Sequence, residues 1–363
     1  MKQNKDLTRY MNNAIEKLAA GIVRGTLRNP RETAFILKLR DRLAQAMKKR
    51  EAAELRGRHI PPFLISSIAT ECNLHCKGCY ARANGICGSG EDRSLTAAEW
   101  QNIFKEAAAL GVSFNLLAGG EPLTRRDVLE AAAQVRELVF PVFTNGLLID
   151  EATADFFAGN RHLIPVISIE GDRAQTDGRR GEGTHRAVQA VMERLRKRGI
   201  LFGVSITVTR ENLHTVTGDA FISNLDRQGC RIAFFVEYVP VEESSASLAP
   251  SEAERMVLEQ RQTALRETWP GIIFLSFPGD EKHMGGCLAA GRGFFHINAY
   301  GAAEACPFSP YSDRSLKQHT LLEVLDSPFF ASLQQEALVG GEHDGGCALF
   351  QKQSQVQALL KQT

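Results

Sequence analysis

From residue 62 onward, short apolar runs alternate with segments of helical periodicity, and this alternation limits the folds open to the chain. The runs are typical of buried strands and lie at 63–70, 113–118, 141–144, 166–170, 201–208 and 231–238. Helices are predicted between and after them, at 96–110, 126–138, 152–157, 184–198, 218–228 and 251–268. Such alternation predicts a parallel α/β sheet. Six βα units make an incomplete barrel, in which chemistry takes place in loops at the carboxyl ends of the strands.

Three cysteines directly follow the first predicted strand. Cys72, Cys76 and Cys79 have C-x3-C-x2-C spacing, which lets three thiolates converge on one soft metal centre. Thiolates are the usual ligands of iron–sulfur clusters, and three cysteines leave one iron of a four-iron cubane open for a substrate or cofactor. The alternative is a zinc site completed by a distant fourth ligand. The spacing therefore indicates a metal centre at the end of the first strand.

Polar residues also follow the later predicted strands. Gly119 and Gly120 would let the backbone approach a ligand closely, and the carboxylate of Glu121 suits an ammonium group. Ser205 and Thr207, on the fifth predicted strand, are further candidate ligand residues. Ser205 and Thr207 share one face of their strand by alternation, which we expect to be the inner face. Taken singly, each polar residue could instead cap a helix or form a turn.

Glu237 and Tyr238 end the sixth predicted strand. An acidic group beside a phenol could orient a substrate or shuttle a proton, which makes both residues catalytic candidates. The alternative is that they only close the end of the barrel.

A second group of cysteines lies near the carboxyl terminus. Cys287 and Cys306 flank a predicted hairpin around His296, and Cys347 returns from much later in the chain. Between them a helix is predicted over 321–338, interrupted at Pro328. A metal that joined the three thiols would close a long loop and couple metal binding to folding of this region.

The sequence around the two remaining cysteines gives weaker indications of a metal site. Cys230 begins the sixth predicted strand and is expected to be a small buried apolar residue. Cys87 lies in a glycine-rich loop after the first cysteine group. Either thiol, or the imidazole of His343, could complete a metal site, although inert or hydrogen-bonding roles are the simpler interpretation.

The first 60 residues differ in charge from the rest of the chain. They carry 15 Lys and Arg against 6 Asp and Glu, a net of +9, while the whole chain is +1, which leaves −8 for the remainder. Two helices are predicted there, with apolar faces formed by Leu7, Met11, Ile15, Leu18 and Ile22 and by Phe35, Ile36, Leu39, Leu43 and Met47. The second helix opens with Asn29 as N-cap, Pro30 at its first position and Glu32 closing a capping box. The segment is either a helical hairpin docked on the barrel or a docking surface for an anionic partner, a peptide or a membrane surface.

Composition favours a cytoplasmic protein. No apolar run approaches the ~20 residues of a membrane span, and the polar amino terminus lacks an apolar signal segment. Eight cysteines in such a chain suggest metal or redox chemistry before disulfides. Peripheral membrane association through the basic segment stays open, and no nucleic acid partner is expected.

The order of the motifs resembles the radical SAM superfamily, whose C-x3-C-x2-C signature follows the first strand of a partial (β/α)6 TIM-like barrel. The resemblance implies that Cys72, Cys76 and Cys79 hold a [4Fe–4S] cluster whose open iron binds S-adenosylmethionine. The residue before the third cysteine is commonly aromatic in the family. It is Gly78 here, with Tyr80 on the other side, so the packing around the cluster is expected to differ.

The resemblance also implies roles for residues at the strand ends. Gly119-Gly120-Glu121-Pro122 matches the motif that binds the methionyl amine, and Thr144-Asn145-Gly146 matches a turn near the adenosyl group. Ser168 and Glu170, in a stretch that resembles S-x-D-G with Glu for Asp, would face the ribose and the methionyl carboxylate. Arg180, with Arg179 as the alternative, would bind the cofactor carboxylate.

The region from Gly286 to Cys306 resembles the first half of the SPASM or twitch extension of this superfamily, with one residue inserted. This implies an auxiliary [4Fe–4S] cluster on Cys287, Cys306 and Cys347, with a non-cysteine ligand, a water or the substrate at its fourth iron. We therefore expect a basic helical segment (1–60), a radical SAM partial barrel (61–270) and a SPASM/twitch-like extension (271–363).

The function implied by the resemblance is that of a radical SAM oxidoreductase. An electron from a flavodoxin or ferredoxin would enter the first cluster and cleave S-adenosylmethionine to a 5′-deoxyadenosyl radical. That radical would abstract hydrogen from a peptide or small-molecule substrate inside the barrel, assisted by the auxiliary cluster. Alternatives are a substrate of the lipid or tetrapyrrole type and, in a different class, a non-catalytic iron–sulfur electron carrier.

Overall fold

One sheet of nine strands organises the computed structural model, which describes residues 7–16, 30–87, 94–241, 243–340 and 347–363. The strands are β1 (Phe63–Ala69), β2 (Phe114–Gly119), β3 (Phe140–Thr144), β4 (Leu163–Ser168), β5 (Gly203–Val208), β6 (Ile232–Glu237), β7 (Ile273–Phe277), β8 (His296–Ile297) and β9 (Ala303–Glu304). Their order is β7-β6-β5-β4-β3-β2-β1-β8-β9. All neighbours from β7 to β8 pair in parallel, and only β9 runs antiparallel to β8. The predicted α/β fold with a parallel sheet is confirmed.

Helices connect most of the strands. They are α1 (7–16), α2 (Pro30–Leu55), α3 (Tyr80–Ala83), α4 (Ala97–Leu110), α5 (Arg126–Ala133), α6 (Glu151–Gly159), α7 (Arg173–Arg180), α8 (Thr184–Lys197), α9 (Leu213–Val216), α10 (Asp219–Arg227), α11 (Glu252–Thr268), α12 (Leu321–Leu325), α13 (Pro328–Gln335), α14 (Ala348–Gln351) and α15 (Gln353–Leu360). Thr96 and Glu99 form a capping box at the start of α4, in which each side chain accepts a hydrogen bond from the other residue's backbone N–H. The break expected at Pro328 separates α12 from α13.

The structure differs from the predicted elements in several places. A seventh parallel strand, β7, pairs with β6 over Ile273–Phe277, although its apolar run was not assigned to a strand. Residues 177–180, for which no helix was predicted, belong to α7, because Asp172 and Gln175 form a capping box that starts a helix at Arg173. The helix predicted over 126–138 ends at Ala133.

Large apolar side chains fill the space between the sheet and the outer helices. Trp100 and Phe104 lie on the buried face of α4, and the Phe104 ring meets Phe140 of β3 edge-on at 5.0 Å between centroids. The opposite face of each barrel strand points inward, because side chains alternate along a strand. The outer face of the sheet is therefore covered by helices, and the inner face forms a separate surface.

The N-terminal helices pack against the amino ends of the strands. Ile15 of α1 and Leu39, Leu43 and Met47 of α2 form a buried cluster with Val139, Ile164, Leu201 and Ile232, which lie at or just before the starts of strands. The predicted apolar residues Leu18 and Ile22 and the expected cap Asn29 lie outside the described residues, as do the side chains of Glu32 and Ile36. In the described ranges, no helix combines the length and the apolar character needed to cross a membrane.

A buried hydrogen-bond network joins the C-terminal region to the barrel. The predicted hairpin around His296 is formed by β8 and β9, and β8 pairs with β1. The His296 ring is fully buried, with Nε2 2.8 Å from Ser67 Oγ and Nδ1 2.7 Å from Glu304 Oε2. Asn298 Nδ2 donates to the other oxygen of Glu304 at 2.6 Å. The hairpin is thus fixed to the strand that leads into the first cysteine group.

His162, just before β4, makes the stability of the fold sensitive to acid. Burial, together with the positive charges of Arg42 and Arg136, lowers the pKa of His162 to about 4. Between about pH 6.5 and pH 4 the unfolded chain binds a proton that the folded chain does not bind, so the free energy of unfolding falls as the pH falls through this range. The loss amounts to about 3 kcal/mol, at 1.36 kcal/mol per pKa unit.

We expect His162→Gln to lose less stability than the wild type between pH 7 and pH 4, since the amide does not titrate. Denaturant unfolding followed by circular dichroism at several pH values measures this. His214→Gln, at an exposed position, is the control and should keep the wild-type pH dependence. An unchanged pH dependence in His162→Gln would contradict the prediction.

Candidate active site

A cavity of about 1000 Å³ occupies the interior of the barrel. Its wall is formed mainly by inward-facing apolar side chains of the strands, including Phe63, Leu116, Phe143, Val166 and Phe234. Its polar lining residues include all three cysteines of the first group and residues in or after the carboxyl-terminal halves of β2 to β6. This chamber therefore brings together an apolar space and a polar rim, as a small-molecule site does.

The first cysteine group lies in the loop after β1. The thiols of Cys72, Cys76 and Cys79 are free and half-buried, and all three residues line the chamber. Burial raises the pKa of the Cys72 thiol, with smaller contributions from Glu121 and the two other cysteines. Three thiols facing one cavity have the donor chemistry of an iron–sulfur cluster. In the described part of the chain, no three His, Cys, Asp or Glu side chains are arranged to hold a single metal ion.

Cys87 and Cys230, which belong to neither cysteine group, differ in position. Cys87 is half-buried near the first cysteine group, and burial raises the pKa of its thiol to about 12, with added repulsion from Cys79 and Cys72. Cys230 is fully buried in the core, as expected from the sequence, and burial raises the pKa of its thiol to about 12. His343 lies outside the described residues.

Glu121 is held at the centre of a buried hydrogen-bond network. One carboxylate oxygen accepts from Thr144 Oγ1 at 2.7 Å and from Leu123 N at 3.1 Å, and the other accepts from Asn145 N at 2.8 Å. Burial raises the pKa of Glu121, and these bonds oppose that rise. The bond from Leu123 caps the short 3₁₀ helix 122–124, so the capping role considered for Glu121 is present. The structure brings together five predicted ligand residues, Gly119, Gly120, Glu121, Thr144 and Asn145, beside the cysteine loop.

The glycines before Glu121 lie against the start of the cysteine loop. Gly120 N donates to Ala69 O at 2.8 Å, and Glu121 N donates to Glu71 O at 2.7 Å. A Cβ atom on Gly120 would lie only 2.1 Å from Glu71 O. Gly119 has φ of +121°, and a Cβ atom on it would lie 2.5 Å from Ala69 O. The backbone contact between the two loops therefore requires glycine at both positions.

Glu170 anchors two arginines at the end of β4. Its Oε1 accepts from Arg179 Nη1 at 2.6 Å and from Arg180 Nε at 2.7 Å, while Oε2 accepts from Thr207 N at 3.1 Å. A ribose contact by Glu170 would have to share these oxygens. Arg180 Nη1 also lies 3.9 Å from Cys76 Sγ, which links the arginine to the first cysteine group.

Burial and the surrounding anionic groups act on the Arg180 guanidinium in opposite directions. Burial alone would lower its pKa, but Glu170 and the thiols of Cys76 and Cys79 outweigh burial, so the pKa of Arg180 is raised. Ser168 and Ser205 are paired across β4 and β5 and line the chamber, as does Thr207. The inner-face placement expected for Ser205 and Thr207 is confirmed.

Glu237 and Tyr238 occupy the end of β6 as expected, and both line the chamber. Each is about 5% exposed. The two side chains point to different neighbours: Gly279 approaches the Glu237 carboxylate, whereas the Tyr238 phenol lies against Gly78 of the cysteine loop. Their catalytic roles stay predictions.

The C-terminal cysteines converge in the extension. Cys287 and Cys306 are buried, Cys347 is partly exposed, and the thiols of Cys306 and Cys347 share a hydrogen bond. That bond lowers the pKa of Cys347, whereas burial first, and then the neighbouring thiols, raise the pKa of Cys306. Burial, followed by the Glu281 carboxylate, raises the pKa of Cys287. The three residues expected from the sequence thus lie in one region, where Cys306 and Cys347 are in direct contact and Cys287 is near enough to interact electrostatically with both.

Sequence reasoning assigned no specific contact to several polar residues of these two regions. Glu281 lines the chamber beside the C-terminal thiols, and burial, then the charge of Cys347, raises its pKa to about 8. Asn73 joins the cysteine loop to Asn145, and Asn212 donates to the backbone oxygens of Glu170 and Thr207. Glu281 stands in a run of charged residues, Asp280 to His283, that is typical of an exposed turn, so no local signal marked it.

Comparisons with known proteins agree with this geometry. The profile described as the radical SAM superfamily matches residues 66–218. The AdoMet-dependent heme synthase of Methanosarcina barkeri is 27% identical over 297 residues, which cover 74% of this chain and 82% of that protein. The PqqA peptide cyclase of Ruegeria pomeroyi is 26% identical over 280 residues, covering 71% of this chain and 73% of that protein.

The fold is also similar to that of a solved structure. Streptococcus suis SuiB bound to S-adenosylmethionine superposes with a TM-score of 0.65 at 17% identity, covering 80% of this chain and 72% of that chain. Another structure of SuiB was solved with the precursor peptide SuiA and superposes with a TM-score of 0.62 at 17% identity, covering 80% and 71% of the two chains. The profile match, the relatives and the partial barrel together show that this chain is an enzyme of the radical SAM superfamily.

Proposed function

We propose that this protein cleaves S-adenosylmethionine reductively and uses the resulting radical to remove hydrogen from a substrate held in the barrel chamber, with help from a second iron–sulfur cluster. The observation that carries this proposal is the shared chamber, which the first cysteine group lines together with Glu121, Arg180, Ser168 and Glu237. An electron carrier of the kind considered as an alternative would not need this enclosed space or its polar rim.

The first cysteine group would hold the [4Fe–4S] cluster that membership of the superfamily implies. Cys72, Cys76 and Cys79 supply three thiolates, and the Arg180 guanidinium near Cys76 would offset part of their negative charge. When bound, the cluster and S-adenosylmethionine supply an electron and a carbon-centred radical, which is chemistry that no side chain can provide.

The charged residues of the rim suit the two ends of an amino-acid group. The Glu121 carboxylate, with the glycine backbone before it, would bind an ammonium, and Arg180 would bind a carboxylate. Thr144 and Asn145 orient Glu121 through hydrogen bonds, and Glu170 orients Arg180. Ser168, Ser205 and Thr207 offer further polar contacts along the β4–β5 wall.

The chamber would position the substrate and exclude water from the reacting atoms. Its apolar wall suits an apolar side chain or ring, and the Glu237 carboxylate at the end of β6 is a polar handle for orientation or proton transfer. A flavodoxin or ferredoxin would deliver the electron from outside the barrel.

The C-terminal thiols would hold the auxiliary cluster. Cys287, Cys306 and Cys347 converge, and Glu281 lies beside them on the chamber wall. Three cysteines leave the fourth iron of a cubane without a thiolate, and a carboxylate in this position is a candidate for the non-cysteine ligand of that iron. Because the first cysteine group and Glu281 both line the chamber, a substrate bound there would lie between the two cysteine groups.

A peptide is the substrate that we propose first. Support comes from the PqqA peptide cyclase, which aligns with most of this chain, and from SuiB, which was solved with a precursor peptide. A tetrapyrrole is the second candidate, because the chamber wall is largely apolar and the AdoMet-dependent heme synthase aligns over 82% of its length.

The two substrate classes can be separated with defined probes. Release of 5′-deoxyadenosine by the anaerobically reconstituted protein is measured in the presence of dithionite. One reaction contains no substrate, one contains a synthetic peptide with the sequence of a small precursor encoded next to the gene of this protein, and one contains an iron porphyrin. We expect the peptide to raise the rate and to be modified. If only the porphyrin raises the rate of release and is itself modified, the peptide assignment is overturned in favour of the tetrapyrrole.

Replacing the two cysteine groups separately tests the two cluster assignments. The wild type should bind about eight irons on a two-cubane count, and each triple variant, Cys72/Cys76/Cys79→Ala or Cys287/Cys306/Cys347→Ala, about four. Only the first variant should lose cleavage of S-adenosylmethionine, whereas the second should keep cleavage and lose product. One cluster in the wild type, or zinc at the second site, would remove the auxiliary cluster from the proposal.

Gly120→Ala tests the backbone contact beside Glu121. The added Cβ would displace Glu71 or Glu121 and disturb the carboxylate that we propose for the cofactor ammonium. Loss of a charge-assisted bond of about 1.5–3 kcal/mol predicts at least ~10-fold weaker binding of S-adenosylmethionine. Gly159→Ala is the matched control, because a Cβ at Gly159 in α6 meets no atom within 4 Å. Equal affinity in both variants would contradict the assignment.

A further inference from the structure

The side chain of Arg292 holds the loop that leads into Cys287. Nη1 of its guanidinium donates to Gly286 O at 3.3 Å and to Cys287 O, and Nη2 donates to Gly285 O at 3.3 Å. A guanidinium presents five N–H donors in a fixed planar arrangement, so it can bind several carbonyl oxygens at once. One side chain therefore holds the backbone from which the Cys287 thiol projects.

The same guanidinium also lies against the segment that leads to Cys347. Gly340 N donates to Cys287 O at 3.1 Å, so Gly340 and Arg292 donate to one oxygen. Gly340 has φ of +81°, and a Cβ atom on it would lie 3.1 Å from Arg292 Cζ. From Gly340 the chain continues through residues 341–346 to Cys347. Arg292 thus lies between the two segments that supply Cys287 and Cys347.

Arg292 also brings a positive charge to the C-terminal thiols. Burial lowers the pKa of Arg292, whereas the negative charges of Cys287 and Glu281 raise it. Arg292 in turn opposes the rise in the pKa of Cys287 that burial and Glu281 cause. The reduction potential of an iron–sulfur cluster depends on the charges and hydrogen bonds around it. A fixed cation beside such a cluster stabilises the reduced form most, because reduction adds negative charge.

The backbone of Arg292 is fixed from the opposite side by the N-terminal segment. Ala290 and Gly291 have φ of +52° and +80°, and this turn precedes Arg292 directly. After the turn, Arg292 O lies 2.6 Å from His59 Nε2, and His59 Nδ1 lies 3.0 Å from Glu54 Oε2 of α2. The residue that holds the Cys287 loop is therefore anchored to a helix outside the extension.

We propose that Arg292 is a positioning residue of the auxiliary cluster, which aligns the segments of Cys287 and Cys347 and raises the reduction potential of the cluster through its positive charge. The inference rests on the proposed function, in which the C-terminal thiols hold that cluster, and it adds a residue that binds no iron itself. If Arg292 only completed the fold of the loop, its exchange for a neutral residue would leave the potential of the cluster unchanged.

The auxiliary cluster can be measured by itself in the full chain carrying Cys72/Cys76/Cys79→Ala, reconstituted anaerobically with iron and sulfide. A redox titration followed by electron paramagnetic resonance gives its reduction potential, and a chelator challenge gives the rate of iron release. In this background Arg292→Gln removes the charge and should shift the potential to more negative values. It should also release iron at least ~10-fold faster, the effect of one lost charge-assisted hydrogen bond.

Two further variants in the same background separate charge from alignment. Arg292→Lys keeps the charge but lacks the planar set of donors, so it should keep the potential close to that of the parent chain and still release iron faster. Arg194→Gln is the matched control, because Arg194 Nη1 donates to Ile149 O at 2.9 Å on α8, outside the chamber lining. It should match the parent chain in both measurements.

An unchanged potential or an unchanged rate of iron release in Arg292→Gln would overturn the inference and leave the proposed function intact. A potential that falls as far in Arg292→Lys as in Arg292→Gln would also overturn it, because the charge would then have no effect. If Arg292→Gln does not fold, Arg292→Lys decides the test by its iron release, which must be faster than that of Arg194→Gln. Absence of any cluster in the Cys72/Cys76/Cys79→Ala chain would reject the auxiliary cluster of the proposed function, and the inference with it.

Discussion

The position of the first cysteine loop depends on hydrogen bonds to the ends of other strands. The loop has only the four-residue helix α3 as secondary structure, so it cannot fix itself. Glu121 N donates to Glu71 O, Asn145 Nδ2 to Asn73 Oδ1 and Lys77 N to Arg179 O, all at 2.7–2.9 Å. Each partner follows a different parallel strand. The parallel order of β1 to β4 is therefore what brings three thiols and two buried carboxylates to one rim.

The two buried carboxylates of that rim are stable because their hydrogen bonds are largely satisfied. Glu121 accepts three bonds from protein groups, and Glu170 is paired with two arginines. A buried carboxylate without such partners would cost several kcal/mol. The same bonds hold the carboxylate and guanidinium in fixed positions, so stability of the rim and readiness for a charged ligand have one physical cause.

The two cysteine groups are connected through a contact between two partly buried aromatic rings and through the hairpin. The rings of Tyr80, directly after Cys79, and Phe308, shortly after Cys306, lie 5.2 Å apart. Burial raises the pKa of Tyr80, and the thiols of Cys79, Cys87 and Cys306 raise it further, so this phenol lies between both groups. Together with the Ser67–His296–Glu304 network, this contact fixes the extension to β1.

Much of the fold followed from local patterns in the sequence, because strands and caps have local causes. The alternation predicted β1 to β6, and the helices predicted over 96–110 and 251–268 are present as α4 and α11. What could not be predicted depends on contacts between distant residues. Nothing near Gly78 indicates that a phenol 160 residues later lies against it, and nothing near Glu281 indicates that Cys347 will return beside it. Which residue satisfies or repels a buried group is decided by the tertiary structure.

The basic character of the N-terminal segment has an explanation in barrel geometry. Helices of a parallel α/β barrel run opposite to the strands, so their carboxyl ends, with negative dipole ends, lie where the strands begin. The N-terminal helices cover that end. Lys49 donates to Ala108 O and Arg50 to Gly111 O at the end of α4, and Arg42 donates to Arg136 O shortly after α5. Arg50 is only 1% exposed. Part of the positive charge therefore contributes to docking this segment on the helix ends, which favours the interpretation of a docked helical hairpin. The interpretation of an anionic partner concerns the basic residues that stay exposed, such as Arg40 and Lys48.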